Sequence, residues 1–234
     1  MSILKRLNDA SSYAVSAVRV GHALGATEPC RELPERTLEL YEFESCPYCR
    51  KVRETLSALN IDYISRSSAR GSKKRQHVEE LGGKAQFPLL IDPNTGTSMY
   101  ESEDIIDYLQ ETYGKTRHFC WRLLSPLNTL GSSLASVARP RGGSVKNLRR
   151  TQDPEELLEL YNMEVSPYCR KVREVLCELD LDCHIKNTTL HGPLREELLA
   201  RGGRKTVPYL ADPNTGIEMY ESDDIVDYLR ETYG

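Results

Sequence analysis

The chain has 234 residues, 39% of them hydrophobic and 28% charged, with a formal net charge of −4. That composition suits a soluble chain able to bury a core, and its length suits one large or two small domains. The charge lacks the basic footprint of a nucleic-acid binder, and no apolar run reaches the roughly 18 residues that a membrane-spanning helix needs.

Seven cysteines, at positions 30, 46, 49, 120, 169, 177 and 183, make an odd number without a secretory h-region. This argues for a reducing compartment and against a disulfide framework. A single Cys-x-x-Cys gives no four-ligand metal site, so no metal is expected. A cytoplasmic location follows, or a plastid in a eukaryotic host.

In chain order, residues 1–37 read as a leader helix and linker, rich in Ala and Ser. Leu38 to Phe43 reads as a strand. Ser45 is placed to cap the next helix, with Pro47 in its first turn and Val52, Leu56 and Leu59 as its apolar stripe. Ile61 to Ile64 is a second strand, Ser72 to Leu81 a helix ended by Gly82-Gly83, and Phe87 to Ile91 a third strand. Asp92-Pro93-Asn94-Thr95-Gly96 is a turn that leads to a fourth strand over Thr97 to Tyr100. A closing helix runs from Glu101 to Tyr113, with Ile105, Ile106 and Leu109 on its apolar face.

The whole pattern then repeats. Leu38-Glu39-Leu40-Tyr41 recurs at Leu158-Glu159-Leu160-Tyr161, and Pro47 to Glu54 recurs at Pro167 to Glu174. Asp92 to Gly96 and Met99 to Ser102 recur at Asp212 to Gly216 and Met219 to Ser222. Every pair is offset by 120 without a gap, and roughly half the positions from 38 to 114 match. Fainter matches, such as Leu4, Leu7, Ser12 and Arg19 with Leu124, Leu127, Ser132 and Arg139, extend the repeat upstream. An internal copy cannot be a cleaved transit peptide, so residues 1–37 and 115–157 read as paired leaders. Leu123, Leu127, Leu130, Leu134 and Val137 give the second leader a helical apolar stripe, suited to packing on a domain or its twin rather than on a membrane. Arg139 to Gly143 reads as a linker. The fold class is therefore α/β: two tandem thioredoxin-like βαβαββα domains, 38–114 and 158–234, each preceded by a leader helix.

The Cys-x-x-Cys at the first strand-to-helix turn is the chemical signal. Cys46 at a helix N-terminus would feel the partial positive charge that stabilises a thiolate, with Arg50, Lys51 and Arg53 nearby. Cys49 lies one turn on, in reach to resolve a mixed disulfide. Glu101-Ser102 opens a helix whose free N–H groups suit a carboxylate, although Ser102 with Asp104 also fits ordinary capping. Gly82-Gly83-Lys84 and Gly202-Gly203-Arg204 follow helices and read as C-caps, not phosphate loops. Cys177 and Cys183 read as core.

Three motifs in order, Cys46-Pro47-Tyr48-Cys49, Phe87-Pro88 and Glu101-Ser102, make the first unit resemble a glutaredoxin, and equally the N-terminal domain of a glutathione transferase. The second unit carries Ser166-Pro167-Tyr168-Cys169, Val207-Pro208 and Glu221-Ser222. The whole chain resembles tandem glutathione S-transferase N-terminal-domain proteins. The resemblance implies glutathione as the bound thiol and protein disulfides as further partners. It implies a cis Pro88 facing Cys46, the Phe87 backbone pairing with the cysteinyl part of glutathione, and Glu101 and Ser102 holding its γ-glutamyl end. Lys84 would lie near the glycyl carboxylate. The implied activity is glutathione-dependent thiol–disulfide exchange with Cys46 as nucleophile and Cys49 resolving. Transferase-type conjugation and non-catalytic glutathione binding are the alternatives. The chain ends at Gly234, directly after the closing helix, so the all-helical domain of full transferases is not expected. In the second unit Ser166 replaces the nucleophile. Either it hydrogen-bonds a bound glutathione thiolate, or the unit is a binding or packing module.

Overall fold

A computed structural model describes residues 12–13, 32–114, 141–146, 153–190 and 192–234. Most of the two expected leaders, including the Leu123–Val137 stripe, Cys30 and Cys120, lies outside the described residues. The first unit runs β1 (Leu38–Glu42), α1 (Pro47–Ala58), β2 (Tyr63–Ser67), α2 (Lys74–Gly82), β3 (Leu89–Asp92), β4 (Thr97–Met99) and α3 (Ser102–Thr112). The second runs β5 (Leu158–Asn162), α4 (Pro167–Glu178), β6 (Cys183–Asn187), α5 (Leu194–Gly202), β7 (Tyr209–Asp212), β8 (Ile217–Tyr220) and α6 (Ser222–Tyr233). This is the expected βαβαββα order, twice.

The eight strands form one sheet in the order β4-β3-β1-β2-β6-β5-β7-β8. Within each unit the first two strands are parallel and the others antiparallel. The join is antiparallel: Tyr63, Ile64 and Ser65 pair with Ile185, His184 and Cys183. Alternation along β1 sends Leu38 and Leu40 to one face and Tyr41 to the other. The first face builds a core from Leu38, Leu40, Val52, Leu56, Ile105 and Leu109 that continues without a break into Leu158, Leu160, Val172, Leu176, Ile225 and Leu229. Under α2 and α5 lie two smaller clusters, around Tyr41, Val78 and Leu89 and around Tyr161, Leu198 and Tyr209.

Several boundaries move from their expected places. The cap of α1 is Cys46, not Ser45, because Pro47 takes the first helical position and the residue before it holds the extended cap conformation (φ −73°, ψ 119°). The second strand begins at Tyr63 rather than Ile61, and its buried side is Tyr63, Ser65 and Ser67. A polar strand face escapes an apolar-run reading, and it is covered here by the second unit. The third strand begins at Leu89, since Pro88 has no N–H for the ladder. The helix ends at Gly82-Gly83 hold as expected, with Gly83 in the left-handed cap position (φ 77°).

The linker is docked. The Arg70 N–H donates to Gly143 O and the Val145 N–H to Arg70 O, while the Lys146 N–H reaches Glu178 O at 2.8 Å. Among the described residues no helix is long and apolar enough to cross a membrane, and no group of three His, Cys, Asp or Glu side chains could hold a metal.

Candidate functional site

The register of the sheet brings the three motifs of each unit to one end. Tyr41 pairs with Leu89, so Phe87-Pro88 continues past β1 beside the turn that carries Cys46. The rings of Phe43 and Phe87 meet edge to face at 5.9 Å. Leu90 pairs with Met99, which sets Glu101 across from Pro88. The Phe87–Pro88 and Val207–Pro208 peptide bonds are both cis.

Phe43 to Cys46 is a tight turn closed by the Cys46 N–H on Phe43 O at 3.1 Å. The Cys46 Sγ then accepts the Cys49 N–H at 3.2 Å, as an N-cap side chain does. Cys46 is 4% exposed and Cys49 fully buried, whereas Tyr48 between them is 49% exposed. Burial pushes the Cys46 thiol up, but hydrogen bonds from Cys49, the charge of Arg53 and the Tyr48 N–H outweigh it, so its pKa is lowered. Burial, with the hydrogen bond to Cys46 and the negative charges of Cys46 and Glu42, drives Cys49 well above the ordinary thiol value. Two thiols one helical turn apart are thus pushed in opposite directions.

The basic stripe expected beside Cys46 does not face solvent. Arg50, Lys51 and Arg53 are no more than 2% exposed. Lys51 pairs with Glu103 on α3, tying the nucleophile's helix to the helix that opens at Ser102. Arg53 enters a buried ion cluster with Glu42, Glu44 and Glu164. Sequence reading missed this cluster because charged side chains belong by default to the surface. A usable signal existed: Glu44 and Arg53 match Glu164 and Arg173 at the repeat offset.

Glu101 is the cap residue of α3, with φ 65° and ψ 112°, and Ser102 is the buried first helical residue. The ordinary-capping alternative therefore does not hold, for the cap position belongs to Glu101, whose side chain makes no capping hydrogen bond. A positive φ at a glutamate is strained, and Glu221 repeats it at 67°. The exposed Glu101 carboxylate accepts from Gln86 Nε2 at 2.5 Å and lies 3.9 Å from Lys84 Nζ. Gln86 is a neighbour that the motifs did not mark. The exposed polar groups of Lys84, Gln86 and Glu101 and the N–H groups at the start of α3 suit a zwitterionic ligand. Among the described residues this end of the sheet is therefore the place where a thiol, a cis-proline corner and a polar clamp converge.

The second unit reproduces the scaffold without the thiol. Ser166 caps α4 and accepts the Cys169 N–H at 3.3 Å. Cys169 is fully buried and raised by that burial. Arg204 lies 3.7 Å from Glu221, in the place of Lys84 beside Glu101. The Tyr168 ring meets Tyr13 edge to face at 5.7 Å, the two hydroxyls share a hydrogen bond, and Ser12 Oγ donates to Pro167 O at 2.8 Å. Cys177 and Cys183 are core residues, with Cys177 pushed up to about 12 by burial.

Over residues 40–117 and 160–234 the chain matches the family described as glutathione S-transferase, N-terminal domain. It is 31% identical over 75 residues to an uncharacterized glutaredoxin-like 8.6 kDa protein in the rubredoxin operon of Clostridium pasteurianum, covering 32% of this chain and 97% of that one. A glutathione transferase of Bombyx mori is similar at 25% identity over 36% of this chain and 39% of its own, with a TM-score of 0.31. This chain thus spans about two fifths of that protein. A trimeric glutathione transferase of Leishmania is 16% identical over 85% of this chain and 67% of its own, with a TM-score of 0.30. With both of its units matched, the chain belongs to the glutathione S-transferase N-terminal domain family.

Proposed function

We propose that the protein is a glutathione-dependent thiol–disulfide oxidoreductase that works through its first unit. Family membership supports a glutathione-related thiol-transfer role in general. The observation that carries the finer reading is the placing of two thiols one turn apart at the start of α1, with Cys46 at the cap accepting the Cys49 N–H at 3.2 Å, in surroundings that lower Cys46 and raise Cys49. Groups whose environments push their pKa values apart take different roles in one reaction. Cys46 is the attacking thiolate, and Cys49 keeps its proton until called on to resolve.

The Cys46 thiolate attacks the glutathione sulfur of a mixed disulfide. The Cys46–glutathione S–S bond forms, and the partner thiol leaves as a thiolate and takes a proton from solvent. A second glutathione thiolate then attacks the glutathione sulfur bound to Cys46. This releases glutathione disulfide and returns the Cys46 thiolate. Alternatively Cys49, losing its proton, attacks Cys46 Sγ and expels glutathione, and two further glutathiones reduce the resulting disulfide.

In this reading the Phe87 backbone and Pro88 line the cysteinyl part of glutathione, and Glu101, Ser102 and the α3 N–H groups take the γ-glutamyl end. Protein disulfides are the natural second substrates. Ser166 has no thiol to exchange, so the second unit is a packing module in this chemistry. The test uses purified full-length protein and a small thiol's mixed disulfide with glutathione, with NADPH consumption by glutathione reductase as the readout. Turnover lost in Cys46→Ser and partly kept in Cys49→Ser supports the mechanism. Equal rates for wild type and Cys46→Ser refute it.

A further inference from the structure

The two units meet through a closed ring of charge. Arg53 lies 3.0 Å from Glu44 and 3.2 Å from Glu164; Arg173 lies 2.9 Å from Glu44 and 3.2 Å from Glu164. No side chain of the ring is more than 3% exposed. Glu44 and Glu164 occupy the same place, two residues before the cap residue of α1 and of α4. Each stands inside a tight turn, Phe43–Cys46 and Met163–Ser166, closed by an N–H to carbonyl bond of 3.1 Å and 2.9 Å. The turn that carries the nucleophile is therefore gripped by an arginine of the other unit.

We propose that Arg173 of the second unit is a positioning residue for the Cys46 nucleophile, acting through Glu44. The second unit, without a thiol of its own at the cap, is then the structural half of the first unit's site. This rests on the exchange chemistry assigned to Cys46. The geometry is specific to arginine: its fork meets both Glu44 and Glu164, and its third nitrogen donates to Asn162 Oδ1 at 2.5 Å. Other charges face the ring as well. Glu42 binds Arg53, Arg170 Nε lies 3.6 Å from Glu44, and Arg50 is buried alongside. Despite its burial, Glu44 is held ionised by Arg173 and Arg53, the pull of Arg173 being the larger.

Removing Arg173 leaves two buried carboxylates with one fewer cation and loosens the turn through Glu44. Both effects act against a thiolate at Cys46. Removing the charge of Glu164 does the reverse to the field while leaving both arginines paired with Glu44. The pair of variants therefore separates a positioning role from simple destabilisation, which moves both in one direction.

The test is the pH midpoint of iodoacetamide labelling at Cys46 in the full chain, read by mass spectrometry, with circular dichroism confirming the fold. In Arg173→Gln the midpoint should rise, with the thiolate fraction at pH 7 falling by about threefold or more. In Glu164→Gln it should stay at or below the wild-type value, and Arg173→Lys, which keeps the charge but not the fork, should lie between. If Arg173→Gln does not fold, the Lys and Glu164→Gln variants decide by the same ordering. A low wild-type midpoint that a folded Arg173→Gln leaves in place overturns the positioning role alone. A wild-type Cys46 that labels like a free thiol overturns the exchange chemistry and this role together.

Discussion

Asp92 is the test of how the turn between β3 and β4 is tied to α3, and so of what holds Glu101-Ser102 in place. Its carboxylate is fully buried. It accepts from Tyr108 Oη at 2.6 Å, from Tyr113 Oη at 2.5 Å, and from the backbone N–H and Nδ2 of Asn94 at 2.8 Å each. Asp92→Asn keeps the shape but turns one acceptor into a donor, so either the two tyrosine hydroxyls or the two Asn94 donors lose their partner. A buried donor left unpaired costs about 1–3 kcal/mol. Tyr108 also shares a hydrogen bond with Thr95 at 2.7 Å, which relieves part of its loss. The net cost should be about 2–4 kcal/mol, or roughly 5–15 °C in Tm for a chain of this size. Asp212→Asn should cost the same, since Tyr228, Tyr233 and Asn214 repeat the arrangement. The four hydrogen bonds outweigh burial and lower the Asp92 pKa in the folded state. Its stabilisation is therefore present above the unfolded value of about 3.9 and lost as the pH falls below it. Urea unfolding at pH 7 and pH 3 measures this, and the gap between the variants and the wild type should narrow at the lower pH, by about 1 kcal/mol at most. A loss under about 1 kcal/mol in both variants at pH 7 would refute the reasoning.

Two further changes probe the seam and the clamp. Burial raises Asp62 to about 6, against the pull of the Asn187 N–H and of Lys186. The folded state therefore holds its proton more tightly, and the stability this lends is complete below about pH 3.9 and lost as the pH rises through about 6. Asp62→Asn should remove that dependence and gain about 1–3 kcal/mol at pH 8, and an unchanged slope of urea midpoint with pH between 5 and 8 would sink the idea. At Gly82 an added Cβ would stand 1.9 Å from the Tyr100 hydroxyl, which donates to Lys84 O at 3.0 Å. Gly82→Ala should displace the ring, cost about 1–3 kcal/mol and weaken glutathione binding through the Lys84–Gln86 loop. Calorimetric titration with wild-type affinity would count against that link.

The repeat made most of the fold legible. An ungapped offset with apolar stripes at Val52, Leu56, Ile105 and Leu109 dictates two copies of one unit, and the helices bury those stripes as periodicity demands. Cys46, Pro88 and Glu101 were equally legible as motifs, because each stands at an element boundary that local rules mark. The contacts between units were not. Ser65 and Ser67 lie beyond the strand expected at Ile61 to Ile64, and it is the second unit, through Arg173, Leu176 and Cys177, that closes over the face they share. Arg53 was legible only as a positive charge near Cys46, since nothing in a single unit reveals that its twin supplies Arg173 and Glu164.

The two units also let the structural and chemical duties of one position be separated. Cys46 and Ser166 stand at the same cap, with φ of −73° and −67°, and accept the N–H three residues on at 3.2 Å and 3.3 Å. Serine is among the strongest N-cap residues, so α4 loses nothing in stability by lacking the thiol. Cys46→Ser in the first unit should therefore leave the unfolding free energy within about 0.5 kcal/mol of wild type while exchange activity disappears. A loss of about 2 kcal/mol or more would mean that the Cys46 sulfur is needed to hold the turn as well as to react. In that case the ring of Glu44, Arg173, Glu164 and Arg53 would not suffice to fix the turn, and Ser166 would need a compensating contact elsewhere to hold the turn of the second unit.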